Sequence, residues 1–259
     1  MEEIQKCRIC GNKSLKTVMN LGLQSLTGVF PKKSEEQVKT GPIELLRCSA
    51  SDGCGLVQLK QSYDLESMYG MNYGYRSGLN KSMVQHLQQK VANILSKNIL
   101  KKGDLVIDIG SNDATTLRTY PENMYELIGI DPTGVKFKSY YPKHIKLISN
   151  FFDANIINQY FSEKKAKIIT SFSMFYDLED PIAFAKDIEA CLDSEGLWIF
   201  EQSYLPSMLK KNSFDTICHE HLEFYALKQI MWIAKAAGLK VLDVEFNDVN
   251  GGSFSITTA

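Results

Sequence analysis

Leu105-Val106-Ile107-Asp108-Ile109-Gly110-Ser111-Asn112-Asp113 is the stretch that decides the fold. A short run that is apolar almost throughout leads straight into a glycine and three polar residues. A strand without polar alternation is buried on both faces, as in a parallel sheet covered by helices. Strand-like runs recur at 126–130, 167–171, 196–201, 240–246 and 253–257, with helical spacing at 115–121, 155–162, 181–192 and 227–238. This alternation predicts an α/β fold built on a mainly parallel sheet. The last two strands have only a short connection, which predicts an antiparallel hairpin at one edge.

Upstream of this region the character changes. Residues 82–100 carry Met83, Leu87, Val91, Ile94 and Leu95 at helical spacing, with His86 read as a surface or packing residue. Tyr63, Tyr69, Tyr73 and Tyr75 crowd the stretch before that helix. Further upstream, Cys7 and Cys10 form a C-x2-C knuckle closed by Gly11, and Cys48 and Cys54 supply a second, more widely spaced pair. Four thiolates in this pattern predict a structural zinc site, since a closed sulfur shell leaves no position for substrate. The segment between the pairs predicts short strands and loops, with a core too small to fold without the metal. The expected domains are therefore a zinc-binding domain at 1–62, a connecting helical segment at 63–102 that helps to cover the active site, and an α/β domain at 103–259.

Composition excludes several classes. The 259 residues carry 29 basic and 30 acidic groups, and the Lys-Lys pairs read as solvated faces, so no basic surface is expected to attract nucleic acid. There is no apolar run long enough for a membrane span and no signal-peptide core behind Met1, so the cytoplasm is the expected compartment.

In an open α/β sheet a ligand binds at the carboxyl ends of the strands. Asp108, Gly110, Ser111 and Asn112 stand at the first such end, and Asp131 ends the next strand, about 20 residues on, where an acid can accept from both ribose hydroxyls of an adenosine. A lone Gly110 permits close approach but forms no pyrophosphate cradle. The combination predicts S-adenosylmethionine rather than a dinucleotide. Ser173 and Met174 follow the third strand and are expected to line the same edge, and Phe152 is expected near the adenine.

Cys218-His219-Glu220-His221 places two imidazoles beside a carboxylate, the grouping that removes a proton near neutral pH. A competing reading has His219 and His221 on one face of an extended segment binding a catalytic metal, but no third ligand is evident and the H-E-x-x-H spacing is absent.

The order of these motifs, with Tyr75-Arg76-Ser77-Gly78-Leu79-Asn80 and Asn250-Gly251-Gly252-Ser253, closely resembles the zinc-containing nucleotide-sugar C-methyltransferases over essentially the whole chain. The resemblance implies a class I, Rossmann-like S-adenosylmethionine-dependent methyltransferase sheet preceded by a small zinc-binding domain. It implies a sugar-type small-molecule acceptor, His221 as general base at a carbon alpha to a 4-keto group, and Glu220 and Tyr75 close to the sugar or the base. His219 becomes a structural neighbour. Cys218 stands where the family often has tyrosine, Tyr176 stands where some members have histidine, and the family's third, C-terminal domain has no counterpart here. O-methylation in surface-polysaccharide synthesis is the alternative within the class. A non-catalytic module binding zinc and S-adenosylmethionine is the alternative outside it.

Overall fold

The computed structural model describes residues 1–28, 31–64, 68–69, 73–161 and 164–259. The strands are β1 (Glu2–Glu3), β2 (Leu15–Ser25), β3 (Thr40–Cys48), β4 (Val57–Leu59), β5 (Gln61–Ser62), β6 (Leu105–Ile109), β7 (Glu126–Ile130), β8 (Ile145–Ile148), β9 (Ala166–Phe172), β10 (Leu192–Ser203), β11 (Glu223–Phe224), β12 (Val241–Asn247) and β13 (Ser253–Thr258). The helices of seven or more residues, among those described, are α1 (Lys81–Ser96), α2 (Ala154–Phe161), α3 (Pro181–Cys191), α4 (Leu205–Lys211) and α5 (Leu227–Ala237). Two compact units emerge. One gathers Met1–Gly74, Ser173–Lys186 and Glu201–Thr258; the other gathers Tyr75–Phe172 and Asp187–Phe200, with Ala259.

The large sheet is mixed and seven-stranded, in the order β12-β13-β10-β9-β6-β7-β8. The apolar run that predicted a strand is β6, buried at every residue and paired in parallel with both β7 and β9. Helix α1 begins where Asn80 Oδ1 accepts from the amides of Ser82 and Met83, filling two of the donors a helix start leaves open. Val91 and Ile94 of α1 pack on Val106, Leu117, Leu127, Ile168 and Ile199. Truncating either would cost about 2–5 kcal/mol for Ile94, and somewhat less for the smaller Val91. The expected hairpin is present, with β12 and β13 antiparallel from Val241↔Thr258 to Asn247↔Ser253.

One expected helix needs correction. The helix expected at 115–121 is only a 3-10 turn at Leu117–Thr119, because Asn112 and Ala114 take positive φ just before it and Pro121 stops it just after. Strand β8 and helix α4 were not anticipated. Residue 162, the end of the helix expected at 155–162, lies outside the described residues.

The cysteine-bearing unit is built on a four-stranded sheet, β11-β4-β3-β2. Its strands are not all short: β2 has 11 residues and β3 has nine, joined in an antiparallel ribbon from Leu15↔Cys48 to Ser25↔Thr40. The edge strand β11 arrives from far downstream. Glu223 pairs with Gln58, and the Leu59 amide donates to the Leu222 carbonyl at 2.8 Å. Ile43, Leu45, Leu59, Met208, Leu222 and Phe224 form the apolar core under this sheet.

Candidate active site and metal centre

Four cysteines converge as their spacing predicted. Cys7 Sγ lies 3.5 Å from Cys54 Sγ, Cys10 Sγ lies 3.5 Å from Cys48 Sγ, and all four sulfurs fall within 4.8 Å of one another. A tetrahedral zinc with bonds of about 2.3 Å needs sulfur–sulfur edges of about 3.8 Å, so the cage fits that ion. Backbone amides of Cys10 and Ile9 point at Cys7, that of Gly55 at Cys48 and that of Leu56 at Cys54, as thiolates require. A β-carbon on Gly53 would sit 2.7 Å from Cys48 Sγ, so glycine keeps that corner open. The hydrogen bond between Cys7 and Cys54 pulls Cys7 below the usual thiol range and pushes Cys54 above it.

Arg8, inside the knuckle, is fully enclosed. It donates to the Leu59 carbonyl at 2.6 Å and to Ser62 Oγ at 2.9 Å, and it forms ion pairs with Glu179 at 3.1 Å and Glu223 at 3.6 Å. Burial pushes Glu223 well above the usual carboxylate range and Arg8 opposes that push. Gln229 of α5 adds a second tie, donating to the Cys54 carbonyl at 2.6 Å while accepting from the Ala226 amide at 3.0 Å.

In the other unit, the turn after β6 assembles five of the expected cofactor residues. Gly110 takes φ 70°, and its amide donates to the Ile130 carbonyl at 2.9 Å, which brings the ends of β6 and β7 together. Asp131 Oδ2 accepts from the Asn112 amide at 2.8 Å, and Oδ1 accepts from the Thr133 amide at 2.7 Å and its hydroxyl at 2.5 Å. Each carboxylate oxygen can accept twice, so Oδ2 keeps a lone pair for one more donor. Asp108 is buried and accepts from Thr170 Oγ1 at 2.6 Å; burial raises it to about 7, against the pull of the Thr170 and Thr116 hydroxyls. Ser111 Oγ is 2.8 Å from the Tyr141 hydroxyl. A β-carbon on Gly129 would lie 2.6 Å from Ser111 Oγ and 2.8 Å from the Tyr141 ring, so glycine there leaves room for that pair.

The same turn holds the segment after Tyr75. Asn112 Oδ1 accepts from the Ser77 amide at 3.0 Å, its Nδ2 donates to the Tyr75 carbonyl at 3.3 Å, and Asp113 Oδ2 accepts from the Gly78 amide at 3.1 Å. Tyr75 as a residue is 46% exposed. Phe152 is half-buried beyond β8.

The cysteine-bearing unit holds the candidate base. His221 Nδ1 lies 2.7 Å from the Thr216 carbonyl, so Nδ1 carries the proton and Nε2 keeps its lone pair. The Tyr176 ring packs on the imidazole at 4.1 Å between centroids. Burial raises Glu220, and nearby His221 opposes that. A β-carbon on Gly28 would lie 2.1 Å from Glu220 Oε1, so the glycine, at φ 76°, makes room for the carboxylate. His219 is absorbed into the scaffold. Its Nδ1 accepts from the Thr27 amide at 3.4 Å, its Nε2 lies 3.1 Å from the Gly41 carbonyl, and Tyr63 meets it edge-on. It is therefore committed elsewhere and does not join His221 at one metal. Ser173, at φ 54°, and Met174 lead into the turn bearing Tyr176 and Asp177, and the Ser173 amide donates to the Glu201 carbonyl at 2.7 Å.

Asp177 escaped sequence reasoning. Burial pushes it well above the carboxylate range, with His221 opposing and Glu220 reinforcing. Its signal was one residue past a stretch already marked by its place after the third strand.

Residues 81–244 match a family described as a methyltransferase domain, and residues 7–69 match one described as a zinc binding domain. The chain is 27% identical over 261 residues to the C-methyltransferase NovU of Streptomyces niveus, an alignment covering 99% of this chain and 61% of that protein. Among solved structures it resembles a chain from the complex of the Haloferax volcanii Trm112 methyltransferase activator with a methyltransferase, at TM-score 0.55 and 15% identity over 70% of this chain and 93% of that one. It also resembles an S-adenosylmethionine-dependent methyltransferase from Clostridium acetobutylicum, at TM-score 0.52 and 14% identity over 68% and 91% of the two chains. At such identities the structural likeness speaks for the fold, which is that of the class I methyltransferases, whose cofactor is S-adenosylmethionine. With its sheet, its cysteine cage and its matched sequence, the chain belongs to the methyltransferase domain family and carries a zinc-binding module at its N-terminal end.

Proposed function

We propose that this protein transfers a methyl group from S-adenosylmethionine to a sugar or nucleotide-linked sugar precursor in the cytoplasm, with His221 as general base. The observation that carries this reading is the bond between His221 Nδ1 and the Thr216 carbonyl, which leaves Nε2 as the proton acceptor. Glu220 would stabilise the imidazolium formed when the proton arrives, and Tyr75 would contact the acceptor. Removing a proton alpha to a carbonyl gives an enolate, whose carbon attacks the sulfonium methyl in line; the neutral thioether leaves, and the proton stays on His221. Residues 1–62 would serve as the zinc-binding domain, 63–102 as a connecting cover and 103–259 as the methyl-transfer domain, with Asp108, Gly110, Ser111, Asn112, Asp131, Phe152, Ser173 and Met174 serving the cofactor. Similarity to a C-methyltransferase favours carbon as the nucleophile, and the near-neutral charge favours a small acceptor over nucleic acid.

The test pairs two measurements on His221→Ala. Methyl incorporation into a nucleotide-linked 4-keto sugar, followed by mass, is expected to fall at least about 100-fold, since a general base contributes about that or more. Cofactor affinity measured by calorimetry is expected to stay within about twofold. Retained turnover would remove the base. Deuterium exchange at the alpha carbon in the wild type is expected for C-methylation; methyl incorporation without it would assign O-methylation.

A further inference from the structure

We propose that Cys218, Glu220 and His221 form a second metal site, separate from the four-cysteine cage, for a thiophilic divalent cation of the zinc class. The Cys218 sulfur, a Glu220 oxygen and a His221 nitrogen all lie within 4.8 Å of one another. A tetrahedral ion with bonds of about 2.0–2.3 Å to oxygen, nitrogen and sulfur needs these atoms about 3.3–3.8 Å apart, a closure of at most about 1.5 Å. Thiolate, carboxylate and imidazole are together a set that selects zinc over magnesium or calcium. His221 is already posed as metal-bound histidines are, with Nδ1 held by a backbone carbonyl at 2.7 Å and Nε2 left to bind.

An independent observation points the same way. Oε1 of Glu220 is buried without a hydrogen bond among the described residues. Asp177 acts electrostatically on Cys218, Glu220 and His221 alike. A buried carboxylate oxygen without a partner is costly, and a bound divalent cation would satisfy it. Asp177 is not itself among the mutually close donors.

The consequence goes beyond the proposed base role and, in one respect, rests on it. An ion on His221 Nε2 occupies the lone pair that would take the acceptor's proton. Metal at this site and proton abstraction are therefore mutually exclusive, and the ion acts as a reversible inhibitor.

Native mass spectrometry of the full chain, titrated with zinc alone, tests the site. The wild type is expected to hold one zinc at low concentration and a second on titration. Cys218→Ser and Glu220→Gln are each expected to lose the second and keep the first, the retained zinc serving as an internal check on folding. Cobalt substitution is expected to give thiolate-to-metal absorption from the second equivalent, absent in Cys218→Ser. A wild type that saturates at one zinc, or a second zinc that survives Cys218→Ser, overturns the site. Inhibition by the second equivalent, reversed by a mild chelator, supports both the site and the base. Activation by it would leave the metal site standing and remove His221 as the base.

Discussion

Replacing Arg8 with methionine keeps the aliphatic stem of the side chain and removes its charge. In the wild type both members of the Arg8–Glu223 pair are enclosed, with side chains 2% and 0% exposed and 3.6 Å apart. Breaking such a pair by removing one partner costs about 3–5 kcal/mol, because a buried charge is left without its counterpart. The lost hydrogen bonds to the Leu59 carbonyl and Ser62 act in the same direction. At about 2–4 °C per kcal/mol for a chain of this size, thermal denaturation followed by circular dichroism is expected to show a drop of about 6–20 °C at neutral pH. The sign of the pH dependence follows from Glu223. Burial already raises it, and losing Arg8 raises it further, so the variant's carboxyl is neutral and tolerated at low pH and becomes a growing penalty as pH rises. Both proteins hold a neutral carboxyl until pH enters the wild type's own raised range, so the deficit should widen only as pH rises through and above that range. Adding Glu223→Gln to the variant should recover most of it. A change below about 2 °C, or a deficit that is flat with pH and not rescued by Glu223→Gln, would refute the reasoning.

Asp131→Ala removes the acceptor of three hydrogen bonds, one of which, from the Asn112 amide, joins the ends of β6 and β7, and S-adenosylmethionine affinity by calorimetry is expected to weaken at least about tenfold, the equivalent of one hydrogen bond to a charged group; unchanged affinity would exclude Asp131 from the ribose site. Stripping zinc, or Cys48→Ser, is expected to release one metal equivalent and to lower the β-sheet signal in circular dichroism, since the metal's binding energy adds to the folding energy of the sheet it ties to the knuckle; a stripped protein with an unaltered spectrum would contradict this. Asp108→Asn should change how stability depends on pH. The raised carboxyl costs the wild type stability as pH climbs from the ordinary carboxylate range to about 7, so urea midpoints of variant and wild type should diverge in the variant's favour over that window; parallel curves would show that Asp108 is not so perturbed.

The parallel strands were legible because burial on both faces leaves an unbroken apolar run, as in β6 and β7. Strand β8 was not, because Lys146 turns outward in the middle of a four-residue edge and breaks the run. Nor was the length of β2, where Val18, Leu21 and Leu23 all remain exposed, so neither side records a core. The cysteine cage was readable from spacing alone, since the knuckle chemistry is local. The commitment of His219 to Thr27 and Gly41 was not, because it depends on a contact across 192 positions of chain. Glu220 and His221 were found by type and adjacency. Asp177 and Arg8 were missed because nothing adjacent to them in sequence shows that they end up enclosed beside the same segment.

The pairing of β11 with β4 bears on how the protein is made. The N-terminal cysteines leave the ribosome early and can take up zinc at once, but the outer rim of β4 stays bare until residues 222–224 have been synthesised. Through that interval a nascent chain presents unpaired amides and carbonyls next to the apolar side chains of Leu45 and Leu59, the kind of surface that recruits foreign strands. Closing a loop of such length is slow compared with forming the β2–β3 ribbon, so late docking of the histidine-bearing segment is the step most exposed to misassembly.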